Sequence, residues 1–317
     1  MHARPRLAGL ALGAILSLVP AVPAAAQTAR PVGTIIVAHG GGPEWNEQVV
    51  KVASGVRTGG PVAVSFLMGP GAKTTRFQDI VRELESKGVG EIVVVPLLVS
   101  SHSGHYDQIR WLAGDSVELG KGMMHHLHMA GIERPATALP IRVTRAIDDS
   151  PEVARVLADR ALAITPAPAG RALFIVGHGP NSAEDNAAWM ANLRPIADSV
   201  RALTGFRDVR VGLVRDDAPG PVRAEAVRAV RELIQLQHLA TGDTVTVVPV
   251  LVSRGTVSQV KIPADLAGLP MKYTADALLP HPGLARWVEA RVREGGASVA
   301  RRAETASPTP ASKAHHD

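Results

Sequence analysis

The sequence predicts an α/β protein built from two similar parallel-sheet halves, and three observations carry that prediction. Apolar, β-branched runs alternate with stretches of helical spacing from about Thr34 onward, as in strands buried on both faces of a parallel sheet. Several of these runs break into glycine, small polar residues and histidine at their ends. The pattern then occurs a second time. Leu173-Phe174-Ile175-Val176-Gly177-His178-Gly179 matches Ile35-Ile36-Val37-Ala38-His39-Gly40, and Val247-Val248-Pro249-Val250-Leu251-Val252-Ser253 matches Val94-Val95-Pro96-Leu97-Leu98-Val99-Ser100. Tyr273-Thr274 leading to His281-Pro282 answers Val143-Thr144 leading to Ser150-Pro151. Three matches in one order indicate an internal duplication.

The elements of the first half follow in order. Residues 34–38 read as a strand ending at His39, 44–56 as a helix and 61–67 as a strand. Residues 77–84 have helical spacing, and 91–99 form the apolar central strand. A helix opens at Gly104 and runs to Leu112, followed by an irregular stretch through Gly131. Residues 136–143 read as a strand, and 151–163 as a helix with Pro151 in its first turn. The linker Thr165-Pro166-Ala167-Pro168-Ala169-Gly170 sets domains at 32–164 and 171–294. From 295 to 317 the periodicity stops, which predicts a disordered tail.

Composition narrows the function. The chain has 317 residues, 46% hydrophobic and 20% charged, the balance of a globular protein with a proper core. Its formal charge of +5 is spread along the chain, and no Lys/Arg cluster is interleaved with aromatics, so nucleic acid is not an expected partner. Gly40, Gly41 and Gly42 form neither G-x-G-x-x-G nor a P-loop, which argues against a nucleotide cofactor. With no cysteine there are no disulfides. Residues 1–26 have the form of a signal peptide: basic Arg4 and Arg6, an apolar run from Leu7 to Val19, and small residues up to Ala26. Export to the periplasm or secretion is therefore expected. No other stretch is long enough to span a membrane, so none is expected after cleavage.

The chemistry is expected beyond the carboxyl ends of the strands, where open α/β sheets bind ligands. His39 stands at one such end, and His102 and His105 follow another. Two strand-end imidazoles aimed at one crevice suggest a metal site, since neutral imidazole suits Co²⁺, Fe²⁺, Ni²⁺ or Zn²⁺ and leaves positions open for transfer.

The His-Gly turn after the first strand, the V-V-P-L strand leading to Gly104-His105, and the tandem repetition resemble the sirohydrochlorin cobaltochelatase/ferrochelatase family of class II chelatases. The resemblance covers about 34–292. It implies two flavodoxin-like units facing each other across a tetrapyrrole cleft. It also implies a lyase that inserts cobalt, iron or nickel into a tetrapyrrole such as sirohydrochlorin, with no cofactor beyond the divalent metal as substrate. The family's metal histidines fall on His39 and on His105 or His102, and Gly104-His105 stands nearer the family's Gly-Gly-His. His39 and His105 are then the catalytic pair. His178, Arg215, Arg254, Gly40 and Gly41 are the residues expected to meet the tetrapyrrole. A tandem repeat can form its own cleft, so a monomer and a homo-oligomer are both compatible.

The sequence departs from the family in two places. Met68 stands where the resemblance implies a carboxylate, and Arg215 aligns there in the second repeat, with Asp216 and Asp217 following. Arg254-Gly255-Thr256 replaces Ser103-Gly104-His105, so the second repeat keeps His178 without a partner. These departures leave a second reading open, an exported carrier of metal or tetrapyrrole without turnover. A hydrolase using Ser101 or Ser103 with His105 is a weaker third, because no G-x-S-x-G elbow is present. Residues 123–129, Met-Met-His-His-Leu-His-Met, either hold copper or another late metal or pack methionines with solvated histidines. His281 lies either at the cleft or exposed at a helix start, and His315-His316 carries no assigned role.

Overall fold

The computed structural model describes residues 30–306; the segment read as a signal peptide and residues 307–317, with His315 and His316, lie outside them. The first half begins with β1 (Val32–Ala38), α1 (Pro43–Ala53), β2 (Val62–Phe66), the single turn α2 (Gly69–Ala72) and α3 (Phe77–Ser86). It continues with β3 (Glu91–Leu97), α4 (Gly104–Leu112), α5 (Lys121–Ala130), β4 (Ile141–Val143) and α6 (Pro151–Ile164). Its sheet is parallel throughout, in the order β2-β1-β3-β4. β1 and β3 lie at the centre and are almost wholly buried, which is why their sequences are continuous apolar runs.

The second half repeats the plan. β5 (Ala172–Gly177), α7 (Ala183–Thr204), β6 (Asp208–Leu213), α8 (Gly220–Thr241) and β7 (Val245–Val250) lead to a π-helical turn at Val257–Lys261. α9 (Ile262–Asp265), β8 (Met271–Tyr273) and α10 (Pro282–Ala306) complete it. Its parallel sheet has the order β6-β5-β7-β8. The register repeats to the residue: Val37 pairs with Pro96 in one sheet and Val176 with Pro249 in the other. Proline lacks the amide hydrogen a central strand needs. It is tolerated at both places because β4 pairs only with residues 92–94 and β8 only with 245–247, so the outer side of each strand is free there.

The two halves are interlocked. α6 packs on α7 and β7 of the second half, while α10 packs on β3 and α1 of the first. One apolar cluster therefore runs from Val95 through Val153, Leu157 and Trp287 to Val248. Trp287 of α10 is fully buried and its Nε1 donates to Ser150 Oγ at 3.0 Å. Arg160 of α6 donates to the Ala277 carbonyl at 3.0 Å. Loops of the two halves also bond across the seam. Ser253 Oγ donates to the Trp45 carbonyl, and Trp189 Nε1 donates to the His102 carbonyl at 2.6 Å.

Three local expectations change. The stretch expected to be irregular up to Gly131 contains α5, which ends at Gly131 with φ 65°. It carries only one buried residue, Leu127, so it lacks the apolar stripe by which a helix is read. β4 is three residues long rather than 136–143, since of that stretch only 141–143 run in register with β3. The tail expected to be disordered from 295 continues as α10 to Ala306. Gly295 lies against Val93 and Arg142, and this packing on the first sheet overrides the poor helix propensity of the glycine pair.

Candidate metal centre

Parallel pairing of Ala38 with Leu97 places the residue after β1 beside the loop after β3. Ser103 caps α4 by accepting from the Tyr106 amide at 3.2 Å, which fixes His105 in that helix's first turn. The His39 and His105 rings consequently meet edge to face, 4.6 Å between centroids. The loop is locked beneath them by the buried Asp148, which accepts from the Ser101 amide and hydroxyl, both at 2.7 Å, and from Asn192 of α7 at 3.2 Å.

The tautomers follow from the partners. His39 Nδ1 lies 2.8 Å from the Gly40 carbonyl, which only accepts, so Nδ1 carries the hydrogen and Nε2 is left with its lone pair. Gln108 Nε2 donates to the Met123 carbonyl at 2.6 Å, which turns Gln108 Oε1 toward His105 Nδ1 at 2.8 Å. His105 is thereby also a donor at Nδ1 and open at Nε2. Such outer partners orient ligating imidazoles. Burial and the neighbouring histidines push His105 down to about 4, and burial lowers His39 as well. Both rings stay neutral at physiological pH, the form that binds a cation.

A cavity of about 810 Å³ opens above this pair, walled by both halves. The first half lines it with His39, Gly40, Gly41, Trp45, Gly104, His105 and Met123, and the second with His178, Asp216, Asp217, Trp189, Arg254 and Lys261. Gly40 (φ +91°) is required because a Cβ there would lie 2.3 Å from the Met68 carbonyl, and one on Gly41 would meet Trp45 at 2.9 Å. Both glycines thus answer to the turn itself as well as lining the cavity.

The second wall has different chemistry. His178 Nδ1 donates to the Gly179 carbonyl, as His39 does to Gly40, but His178 Nε2 lies 3.0 Å from Asp217 Oδ2. Burial opposes a charge on His178, yet the Asp217 hydrogen bond and charge outweigh it and raise its pKa; Asp217 is lowered in turn. His178, Asp216 and Asp217 bring ligand atoms within 4.8 Å of one another. Lys261 Nζ is 2.6 Å and Arg223 Nε 3.2 Å from Asp216, so cations of the chain already occupy that carboxylate.

Several expected site residues lie elsewhere. His102 is exposed and does not line the cavity; its backbone, not its ring, is used, by Trp189. Arg215 also fails to reach the cavity, because its guanidinium is taken by the Pro180 and Asn181 carbonyls. The alignment of Arg215 with Met68 is itself corrected. Met68 N donates to the His39 carbonyl at 2.8 Å, and in the second half Asp216 N donates to the His178 carbonyl at 3.1 Å. Arg215, at φ 51°, is one extra residue bulged out before that bond, so Asp216 is the counterpart of Met68. Arg254 does line the cavity, 3.5 Å from both Glu44 and Asp276, with its buried Nε unpartnered among the described residues. His281 caps α10 by accepting from Gly283 N and faces Asp159, away from the cavity. Ser101 and Ser103 are held by Asp148 and the α4 cap, so neither hydroxyl is presented to His105 as a nucleophile.

Three features of the site were missed in the sequence. Trp45 and Trp189 give the cavity flat apolar surface; in a chain with 3% aromatics each tryptophan was informative. The Asp217–His178 pairing depends on the bulge at Arg215. His126 of α5 stacks at 6.3 Å from His105, which the Met/His composition of that segment hinted at without placing it.

The CbiX family model matches the chain twice, over residues 33–163 and 172–295. No curated protein matches it. Among solved structures, SirB from Bacillus subtilis with Fe³⁺ is similar at 17% identity, covering 86% of this chain and 98% of that one, with a TM-score of 0.59. The sirohydrochlorin chelatase SirB from Bacillus subtilis subspecies spizizenii in complex with cobalt gives 17%, 86%, 98% and 0.55. DR2241 from Deinococcus radiodurans, a multi-domain protein with structural similarity to chelatases, gives 18%, 84%, 56% and 0.55. At these identities the likeness is one of fold.

Proposed function

This chain belongs to the CbiX family of metal chelatases, and from that premise we propose that it inserts a divalent metal into a carboxylate-bearing tetrapyrrole of the sirohydrochlorin type within the cavity between its halves. The observation that carries the reading is the opposition of two neutral imidazoles, His39 and His105, to the His178–Asp217 pair across one cavity. Insertion exchanges one divalent ion for two pyrrole N–H protons. His39 and His105 hold the ion through Nε2 and leave its other positions open. The His178–Asp217 pair takes up one departing proton, the ring being held as the imidazolium between the Gly179 carbonyl and the Asp217 carboxylate, and the second proton leaves to water. Trp45 and Trp189 receive the flat macrocycle, and Arg254 pairs with its carboxylates. A placed base opposite the metal favours turnover over simple carriage. Cobalt, iron and nickel all suit an imidazole pair, and no cofactor beyond the metal is needed.

We place this activity outside the cytoplasm, on the strength of the signal-like residues 1–26 alone; fractionation of cells expressing the full chain tests it. The activity is tested by following the absorbance of sirohydrochlorin mixed with Co²⁺ and the purified protein. Metallation by the wild type and none by His105→Ala is the expected result. Sirohydrochlorin binding without any metallation would leave the carrier reading in its place.

A further inference from the structure

Three imidazoles stand in a row that leaves the cavity. His39 and His105 are 4.6 Å apart, and His126 follows at 6.3 Å from His105, its ring tilted only 22° from it. His126 does not itself line the cavity, yet its Nδ1 is buried and has no hydrogen-bond partner among the described residues. A buried, unpartnered ring nitrogen costs free energy unless something binds it. With metal–nitrogen bonds of about 2.0–2.1 Å, two imidazoles sharing an ion have centroids up to roughly 6 Å apart, so at 6.3 Å a small swing of the His126 ring toward His105 brings the two within reach of one ion.

Gln108 ties the helix bearing His126 to His105. Gln108 takes the His105 Nδ1 hydrogen and donates to the carbonyl of Met123 on α5. Met123 in turn lies over Gly104, where any Cβ would come within 2.8 Å of its sulfur. The outer face of α5 carries His125, His128 and Met129, all exposed, with Met129 at 67%. Imidazole and thioether groups three and four residues apart on one helix suit late divalent metals.

We propose that α5 is a metal-loading path, in which His126 and His105 together hold the divalent ion before His105 hands it to His39 beneath the bound tetrapyrrole. This rests on the reading of His39 and His105 as metal ligands. A macrocycle seated in the cavity covers these two rings, so a metal arriving second needs a way in that does not cross it; the row to His126 supplies one.

The order of addition tests it. Sirohydrochlorin is bound first and Co²⁺ added in a single-turnover absorbance experiment, then the order is reversed. The wild type should metallate at similar rates in both orders. His126→Ala and His126→Gln should slow the tetrapyrrole-first reaction about tenfold or more, while the metal-first reaction and sirohydrochlorin affinity stay near wild type. Equal rates in both orders for both variants overturn the path. Equal slowing in both orders also overturns it, since His126 would then act on the cavity site itself. His105→Ala separates the two readings. If it leaves Co²⁺ binding intact, the metal-site assignment fails. If it abolishes binding while His126 variants change nothing, only the loading path fails.

Discussion

The two halves share a fold, a register and a His-Gly turn, yet they bias their histidines in opposite directions. In the first half His39 and His105 are buried against each other, burial outweighs the charge of Asp217 across the cavity, and both are held below the usual imidazole range. In the second half His178 makes the same backbone contact but gains Asp217, and is held above it. One inserted residue, Arg215, makes the difference. It bulges out, puts Asp216 where the first half has Met68, and brings Asp217 to His178. Environments that push like groups apart mark separate roles: one wall suits a cation, the other a proton.

The sharpest way to break this comparison is to remove one histidine from each wall. His105→Ala should lower Co²⁺ affinity on the order of a hundredfold or more by losing a direct ligand, whereas His178→Ala should leave it within a few-fold. Calorimetric titration reads both; equal losses would make the walls equivalent.

Next comes the proton wall. Asp217→Asn removes the charge that raises His178, so the acid limb of the kcat profile should move to lower pH and kcat should fall about tenfold or more. Metal affinity should not follow. An unmoved limb would detach His178 from the proton step.

Arg254 and Arg215 form a smaller contrast. Arg254→Ala should raise the KM for sirohydrochlorin several-fold to about tenfold, the effect of a partly exposed charged hydrogen bond. Arg215→Ala should change it less than about twofold, because that guanidinium serves the 180–181 carbonyls.

The smallest effect concerns the metal-free protein. His105 has a folded pKa of about 4 against 6.5 for the free side chain, so the unfolded chain binds its proton first as pH falls. Stability from this site is complete above about pH 6.5 and erodes between there and pH 4. His105→Gln should flatten part of that decline, worth on the order of several degrees in Tm across the window; identical slopes would show that the buried ring is not its source.

How much was legible beforehand can be argued residue by residue. Local pattern alone determined the parallel α/β halves, because strands covered on both faces must be continuous apolar runs, and two copies of the same run in the same order require the same sheet twice. His39 and His105 were legible for a related reason: a residue following a central strand has one place to be. What followed from chain crossing was not. α6 and α10 exchange sheets, and no periodicity says which sheet a helix's apolar face will cover; only the shared core around Trp287 decides it. α5 was invisible because its order comes from Gln108 and Leu127 rather than from an apolar stripe. The partner of His178 was missed because alignment counts residues, whereas the backbone pairs hydrogen bonds. A single residue in the left-handed region at Arg215 shifted the count by one, and with it turned an expected arginine into a carboxylate.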